Sequence, residues 1–385
     1  MDGKMMDRTS ETLCRIQALA PLVAQHRLEF DVERRLSQPV VDAMVDADLF
    51  RLWTPAAFGG AEMSPRDFVE VVEAASALDG SFGWCLTNAN ASGQLAAYLP
   101  EPVARAWTST PDCQMSGSTA ALGTARRTEG GFIVTGRWPF ASGIMTARRV
   151  NCLCKIEGEG DPANPVLIFC HFEVGEVTIV DTWHVSGLKG TGSNDFTVTE
   201  HFVPDRHTHA FIGAEPGQPG QLYRFPIVSL LTLSVGIVPL GIAKSAVDAF
   251  IATADRTRAG TTNPLKDRET IQADLARAEA MRRAGKALIL SALTDLEEAL
   301  DIGGETLVRA RAFFRVALAH SAETCVKAVD MLVACAGAAA LFESSPLSRI
   351  QRDIHAATKH VAVAPHLFGV GGRIMLGLDP DAARF

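Results

Sequence analysis

The spacing of apolar positions changes twice along this chain. Between residues 8 and 110 they recur three and four apart, the period of helices buried on one face. Ser64-Pro65-Arg66-Asp67 predicts a helix start, with a hydroxyl at the N-cap and proline at the first helical position. Phe68, Val71, Val72, Ala75 and Leu78 form the apolar face behind it, and Gly80 ends the helix. A second helix is predicted over 82–99, stopping before Pro100. From about Asp112 to Arg206 the period becomes two. After a Gly130-Gly131 turn, Phe132 and Val134 alternate with Ile133 and Thr135, and Phe196, Val198 and Phe202 alternate with Thr197, Thr199 and His201. Short strands are also expected over 166–172 and 176–180. Past Pro226 the helical period returns in four long stretches, 227–257, 266–299, 305–337 and 346–377. They are separated at Asn263-Pro264, Gly303-Gly304 and Ser345-Pro346, and Pro365 should kink or break the last.

This order predicts a mainly α chain with a central β domain. A helical module spans 1–111, a β-barrel or β-sandwich module 112–222, and a C-terminal four-helix bundle 223–385. A length of 385 residues suits two or three packed units.

Composition narrows the class. Apolar residues at 47% and charged residues at 21% are ordinary for a globular protein, and a net charge of −8 with no Lys/Arg cluster argues against nucleic acid as partner. Met1 to Ser10 is polar and lacks the apolar stretch of a secretory signal. Phe225 to Ala243 carries no charge, but Ser229, Thr232, Ser234, Gly236 and two prolines fit a buried bundle helix better than a membrane span. The eight cysteines form no Cys-x-x-Cys pair, so buried thiols in a reducing cytoplasm are expected, not zinc ligands. His201, His207 and His209 surround Val203-Pro204-Asp205 without regular ligand spacing; they read as solvated loop histidines, and no metal is expected.

Three motifs then fall in order. Gly136-Arg137-Trp138-Pro139-Phe140-Ala141-Ser142-Gly143 closes a predicted strand, Asp181 to Ser193 runs through the glycine-rich Gly187-Leu188-Lys189-Gly190-Thr191-Gly192-Ser193, and Arg352-Asp353 opens a helix that reaches His360. With the helix–strand–helix order, they resemble the acyl-CoA dehydrogenase superfamily over nearly the whole chain. Within it they resemble the two-component flavin-dependent monooxygenases. That resemblance implies reduced FMN or FAD supplied by a separate NAD(P)H:flavin reductase, O2 as co-substrate, and hydroxylation or N-oxidation of a small organic substrate through a flavin C4a-hydroperoxide. It also implies a homo-tetramer or a dimer of dimers. The alternative is an acyl-CoA dehydrogenase-like FAD enzyme that oxidises an acyl thioester. Many such dehydrogenases carry a glutamate base eight residues after the Asp of the Arg-Asp pair, and that place holds Val361, which takes no proton.

The resemblance assigns the site residue by residue. Ser142 matches the position that hydrogen-bonds near flavin N5, with Trp138, Phe140 and Ala141 beside it. Trp138 and Phe140, two apart, are expected on one face of their strand. Lys189, Gly190 and Ser193 match the next flavin-contacting loop, whose glycines permit close backbone approach. Arg258 aligns with an arginine that contacts flavin phosphates from a neighbouring subunit, although Thr261-Thr262 replaces the Phe-Gly pair of the dehydrogenases. His360 is the expected acid/base, seven residues from Asp353 on one helix face, while His355 lies round the helix at a surface or interface. Trp84 and Asn88 are expected to line the substrate pocket, with Asn90 as another polar candidate.

Overall fold

The computed structural model describes residues 7–161, 163–257 and 263–380. Asp7 caps the first helix, α1 (Arg8–Ala18), by accepting from the Ser10 amide. Next come α2 (Ala20–Glu33), α3 (Gln38–Asp46), α4 (Pro65–Leu78), α5 (Gly80–Gly93) and α6 (Glu101–Thr108). The helix predicted over 82–99 stops at Gly93 and tightens into a 3-10 stretch, Gln94–Tyr98. Leu99 is already extended, as the residue before a proline prefers.

Contact clustering divides the chain into one unit of residues 1–68, 84–184 and 189–224, and another of 69–83, 185–188 and 225–385. The first unit carries the sheet: β1 (Met115–Thr128), β2 (Gly131–Ala141), β3 (Arg149–Gly160), β4 (Pro165–Glu173), β5 (Thr178–Val180), β6 (Asn194–Pro204) and β7 (Thr208–Ala210). Their order is β5-β6-β2-β1-β3-β4-β7, one mixed sheet in which only β1 and β3 run parallel. Trp138, Phe132, Phe172, Phe196, Cys152 and Cys170 belong to its apolar core. The Trp138 indole lies against Gly123 and Gly136, where an added Cβ would collide with the ring. Seven of the eight cysteines are buried, all eight are free thiols, and Cys14 is exposed.

The second unit is the helical bundle. Pro239 starts a new helix, so the first predicted stretch is two: α7 (Ile227–Gly236) and α8 (Val238–Thr253). Two long helices, α9 (Glu269–Ile302) and α10 (Gly304–Ala336), join at Gly303 and Gly304, both at positive φ (71° and 55°), as so tight a reversal requires. The two helices approach closely at Gly285, where a Cβ would stand 2.7 Å from Ser321 Oγ. Glu73 of α4 ties to α9 through Arg282 and through Lys286 Nζ at 2.6 Å, and Lys286 also reaches Glu70. The last predicted stretch is α11 (Pro346–Ala357) and α12 (His366–Met375). The apolar run Ile227–Thr253 has the length and hydropathy of a membrane span, but 83% of its most apolar 18-residue window is buried inside the protein, as in a core helix.

Candidate functional site

Strand β2 ends on a chain of hydroxyls. The Ser142 Oγ accepts from the Trp84 indole N–H at 2.9 Å and lies 2.8 Å from Ser193 Oγ, which lies 2.7 Å from Thr191 Oγ1. None of the four residues is more than 8% exposed. The backbone closes around them: the Gly143 amide donates to the Thr191 carbonyl at 2.7 Å, and Ser116 Oγ donates to the Ser142 carbonyl at 2.9 Å. Gly143 (φ 76°) makes the turn out of β2, a conformation that favours glycine.

Trp138 and Phe140 do not share a face. Trp138 is fully buried and donates its indole N–H to the Leu153 carbonyl at 2.9 Å, so its ring is sheet core and offers no wall to a ligand. Phe140 is 66% exposed. The period of two fails because the β2–β6 register shifts between Trp138 and Ala141, with Phe140 at φ 65°. A left-handed conformation is uncommon for a side chain as bulky as that of Phe140. Its ring meets Trp183 edge-on at 6.3 Å. Ala141 is buried opposite Asn194. Lys189 is half-buried and Gly190 buried in a 3-10 turn, Lys189–Thr191. Asn194 accepts from the Thr182 and Trp183 amides, 3.0 Å each, fixing the approach to that turn.

In the second unit the start of the same loop is pinned to α11. The Leu188 amide donates to Asp353 Oδ1 at 2.6 Å, and Arg352 Nε donates to the Ser186 carbonyl at 3.1 Å. Arg349 bridges Asp353 and Asp79, and Asp79 in turn accepts from the Ser81 and Phe82 amides at the start of α5. All three charged residues are buried. Gly187 fits against the Arg352 carbonyl, where a Cβ would come within 2.1 Å.

His360 is not on a helix face with Asp353. Helix α11 ends at Ala357, and His360 is an extended N-cap (ψ 139°) of a 3-10 turn, Val361–Val363, ahead of Pro365. Its Nδ1 accepts from the Ala362 amide at 3.1 Å, which puts the proton of the neutral ring on Nε2. Burial of the imidazole lowers its pKa to about 4. Val361 is 66% exposed. His355 bonds Asp330 at 2.9 Å. Arg258 lies outside the described residues.

Asn90 is committed to structure: its Oδ1 accepts from the Leu52 and Trp53 amides, and its Nδ2 donates to the Leu49 and Leu86 carbonyls. Asn88 donates to the Trp84 carbonyl one turn back. His209 is not a solvated loop residue. It is buried on β7, stacked with Tyr98 at 5.1 Å and Phe169 at 5.1 Å, and burial lowers its pKa to about 4. No grouping of three or more metal-ligating side chains occurs among the described residues. Asp79, Arg349 and the Trp84–Ser142 bond were not foreseen from sequence. A polar residue just before the start of α5 was the one available signal, for Asp79.

A flavin needs an apolar face and hydrogen-bonding groups at one edge. In the first unit the exposed Phe140 ring is an apolar surface, and the Ser142 and Ser193 hydroxyls are hydrogen-bonding groups. The fold is acyl-CoA dehydrogenase-like, and with the relatives it gives the class, a flavin-dependent oxidoreductase. Its relatives in sequence and structure are oxygenase components of flavin-dependent monooxygenases. Residues 233–365 match the family described as acyl-CoA dehydrogenase, C-terminal domain. The chain is 29% identical to indole-3-acetate monooxygenase of Pseudomonas putida, over 91% of this chain and 90% of that protein. It is also 29% identical to the oxygenase component of the FADH2-dependent resorcinol hydroxylase of a Rhizobium species, over 95% and 94%. Among solved structures, XiaF from a Streptomyces species, in complex with FADH2 and glycerol, superimposes with a TM-score of 0.89 at 26% identity, covering 97% of each chain.

Proposed function

We propose that this chain is the oxygenase component of a two-component flavin-dependent monooxygenase, taking reduced FMN or FAD from a separate reductase and using O2 to hydroxylate or N-oxidise a small organic substrate. The observation that carries this reading is the buried Ser142 hydroxyl, held by Trp84 and Ser193 at the turn beside the exposed, left-handed Phe140. Bound reduced flavin would supply the electron pair that activates O2, so that one oxygen atom enters the substrate and the other leaves as water. The protein's part is to hold and orient. Phe140 provides an apolar surface, Ser142 hydrogen-bonds the ring edge with Ser193 behind it, and Lys189 and Gly190 line the loop beside it. Asn88 lines the substrate pocket, and His360, its imidazole neutral, is the acid/base toward the substrate. The indolic and phenolic compounds named for the relatives support an aromatic substrate. The exposed valine at 361 supports the oxygenase reading over thioester oxidation, which needs a base.

The assembly is proposed as a homo-tetramer in the cytoplasm. The most apolar 18-residue window of Gly304–Leu341 is only 39% buried within the chain, as a helix that packs against another subunit would be. The deciding experiment mixes the protein with each reduced flavin under argon, adds O2 by stopped flow, and follows flavin reoxidation and peroxide. The expected result is binding of reduced flavin and reoxidation with less peroxide release than free flavin shows. A protein purified with tightly held flavin that an acyl-CoA reduces would overturn the proposal.

A further inference from the structure

The hydroxyl chain at Ser142 has a property that a simple staple does not need. A serine hydroxyl has one proton to give and two lone pairs to fill, and an indole N–H only donates. Trp84 therefore always occupies one lone pair of Ser142 Oγ. The neighbour at 2.8 Å, Ser193, is another hydroxyl, and so is the next, Thr191, 2.7 Å further on. Such a chain of hydroxyls has two self-consistent directions. When Thr191 donates to Ser193 and Ser193 to Ser142, the Ser142 proton is left for an outside acceptor. When Ser142 donates to Ser193 and Ser193 to Thr191, Ser142 is left with one lone pair for an outside donor, and the remaining proton is carried to Thr191, two hydroxyls away. All four residues are buried, where each hydrogen bond of the chain counts for more than it would in water. Backbone bonds already hold the 142–143 and 191–193 segments together, through the Gly143 amide and the Thr191 carbonyl, without help from the hydroxyls.

We propose that Ser193 and Thr191 are positioning residues that let the Ser142 hydroxyl reverse, with Trp84 as the fixed donor, so that it donates to oxidised flavin and accepts from reduced flavin. The inference rests on the flavin reading above. Oxidised flavin presents a bare N5 that accepts, and reduced flavin carries a proton there and donates. Each direction of the chain thus matches one redox state, and the reversal needs only hydroxyl rotations. Without Ser193, Ser142 can still donate to oxidised flavin. Towards reduced flavin its own proton then loses the acceptor that Ser193 gave it among the described residues, and it faces the N5 proton.

The test is a spectroelectrochemical titration of the full-length protein with FMN and with FAD, which gives the midpoint potential of bound flavin against that of free flavin. In Ser193→Ala, reduced flavin should be held about threefold to tenfold less tightly relative to oxidised flavin than in the parent protein, the worth of one hydrogen bond, and the bound potential becomes more negative. Thr191→Val should move the same way, and Thr191→Ser, which keeps the hydroxyl, should match the parent. Oxidised-flavin binding is the folding control, and the Thr191 pair decides if Ser193→Ala fails it. An unchanged ratio of the two affinities in variants that bind oxidised flavin overturns the relay and leaves the flavin reading standing. A parent protein that binds neither flavin in either state overturns both.

Discussion

Removing the Ser142 hydroxyl deletes the group proposed to meet the flavin while leaving the backbone bonds of its turn in place. Ser142→Ala is expected to release about tenfold more peroxide per product formed, the effect of about 1.4 kcal/mol from one hydrogen bond, measured by coupled peroxide and product assays. His360 is a neutral imidazole with its proton on Nε2. His360→Ala should lower the product-forming rate by about a hundredfold, a modest acid/base contribution, while reduced-flavin affinity in a binding titration stays nearly unchanged. The buried imidazole of His209 makes a separate prediction about stability. Its pKa is about 4 in the fold against 6.5 when exposed, so the unfolded chain takes up the proton first as pH falls. Stability is complete above pH about 6.5 and is lost between there and about 4, by up to about 3 kcal/mol from this group. Urea unfolding across that range should show a shallower pH slope for His209→Phe, which keeps the ring stack. An identical slope would remove His209 from the account.

Between elements, the decisive link is the buried trio Asp79, Arg349 and Asp353, which joins the start of α5 and the 186–188 loop to α11. Arg349→Met leaves two carboxylates buried without their cation and should cost about 3–5 kcal/mol, read from the denaturation midpoint. Reduced-flavin affinity should fall too, because the loop loses an anchor of its first residues. The helix and strand periods, the proline starts at Pro65 and Pro346 and the paired glycines at 303 and 304 were all legible in sequence, because each is a local choice of backbone. The bulge at Phe140 and the break before His360 were not. A period count assumes that the element continues, and only the partner strand's register or the packing of a terminus interrupts it.

At the scale of the molecule, the exposed Leu341 (82%), Phe342 (67%), Met375 (76%) and Leu376 (78%) are apolar surface that a lone chain would leave in water. Sedimentation velocity at micromolar concentration should therefore show a tetramer, and Phe342→Glu should shift it toward smaller species; a monomeric parent protein would refute the assembly.

From sequence alone came the order of helices, strands and bundle, the three motifs and the missing base at Val361, all properties of residue type and spacing along one dimension. Tertiary structure decided the rest. It sent Trp138 into the core and Phe140 out of it, committed Asn90 to a loop, buried His209, and tied Trp84, Ser142, Ser193 and Thr191 into one hydrogen-bonded chain. Residues 84, 142 and 193 lie too far apart in sequence for any local preference to pair them. Only the close-packed fold, in which every buried donor and acceptor must find a partner, brings them together.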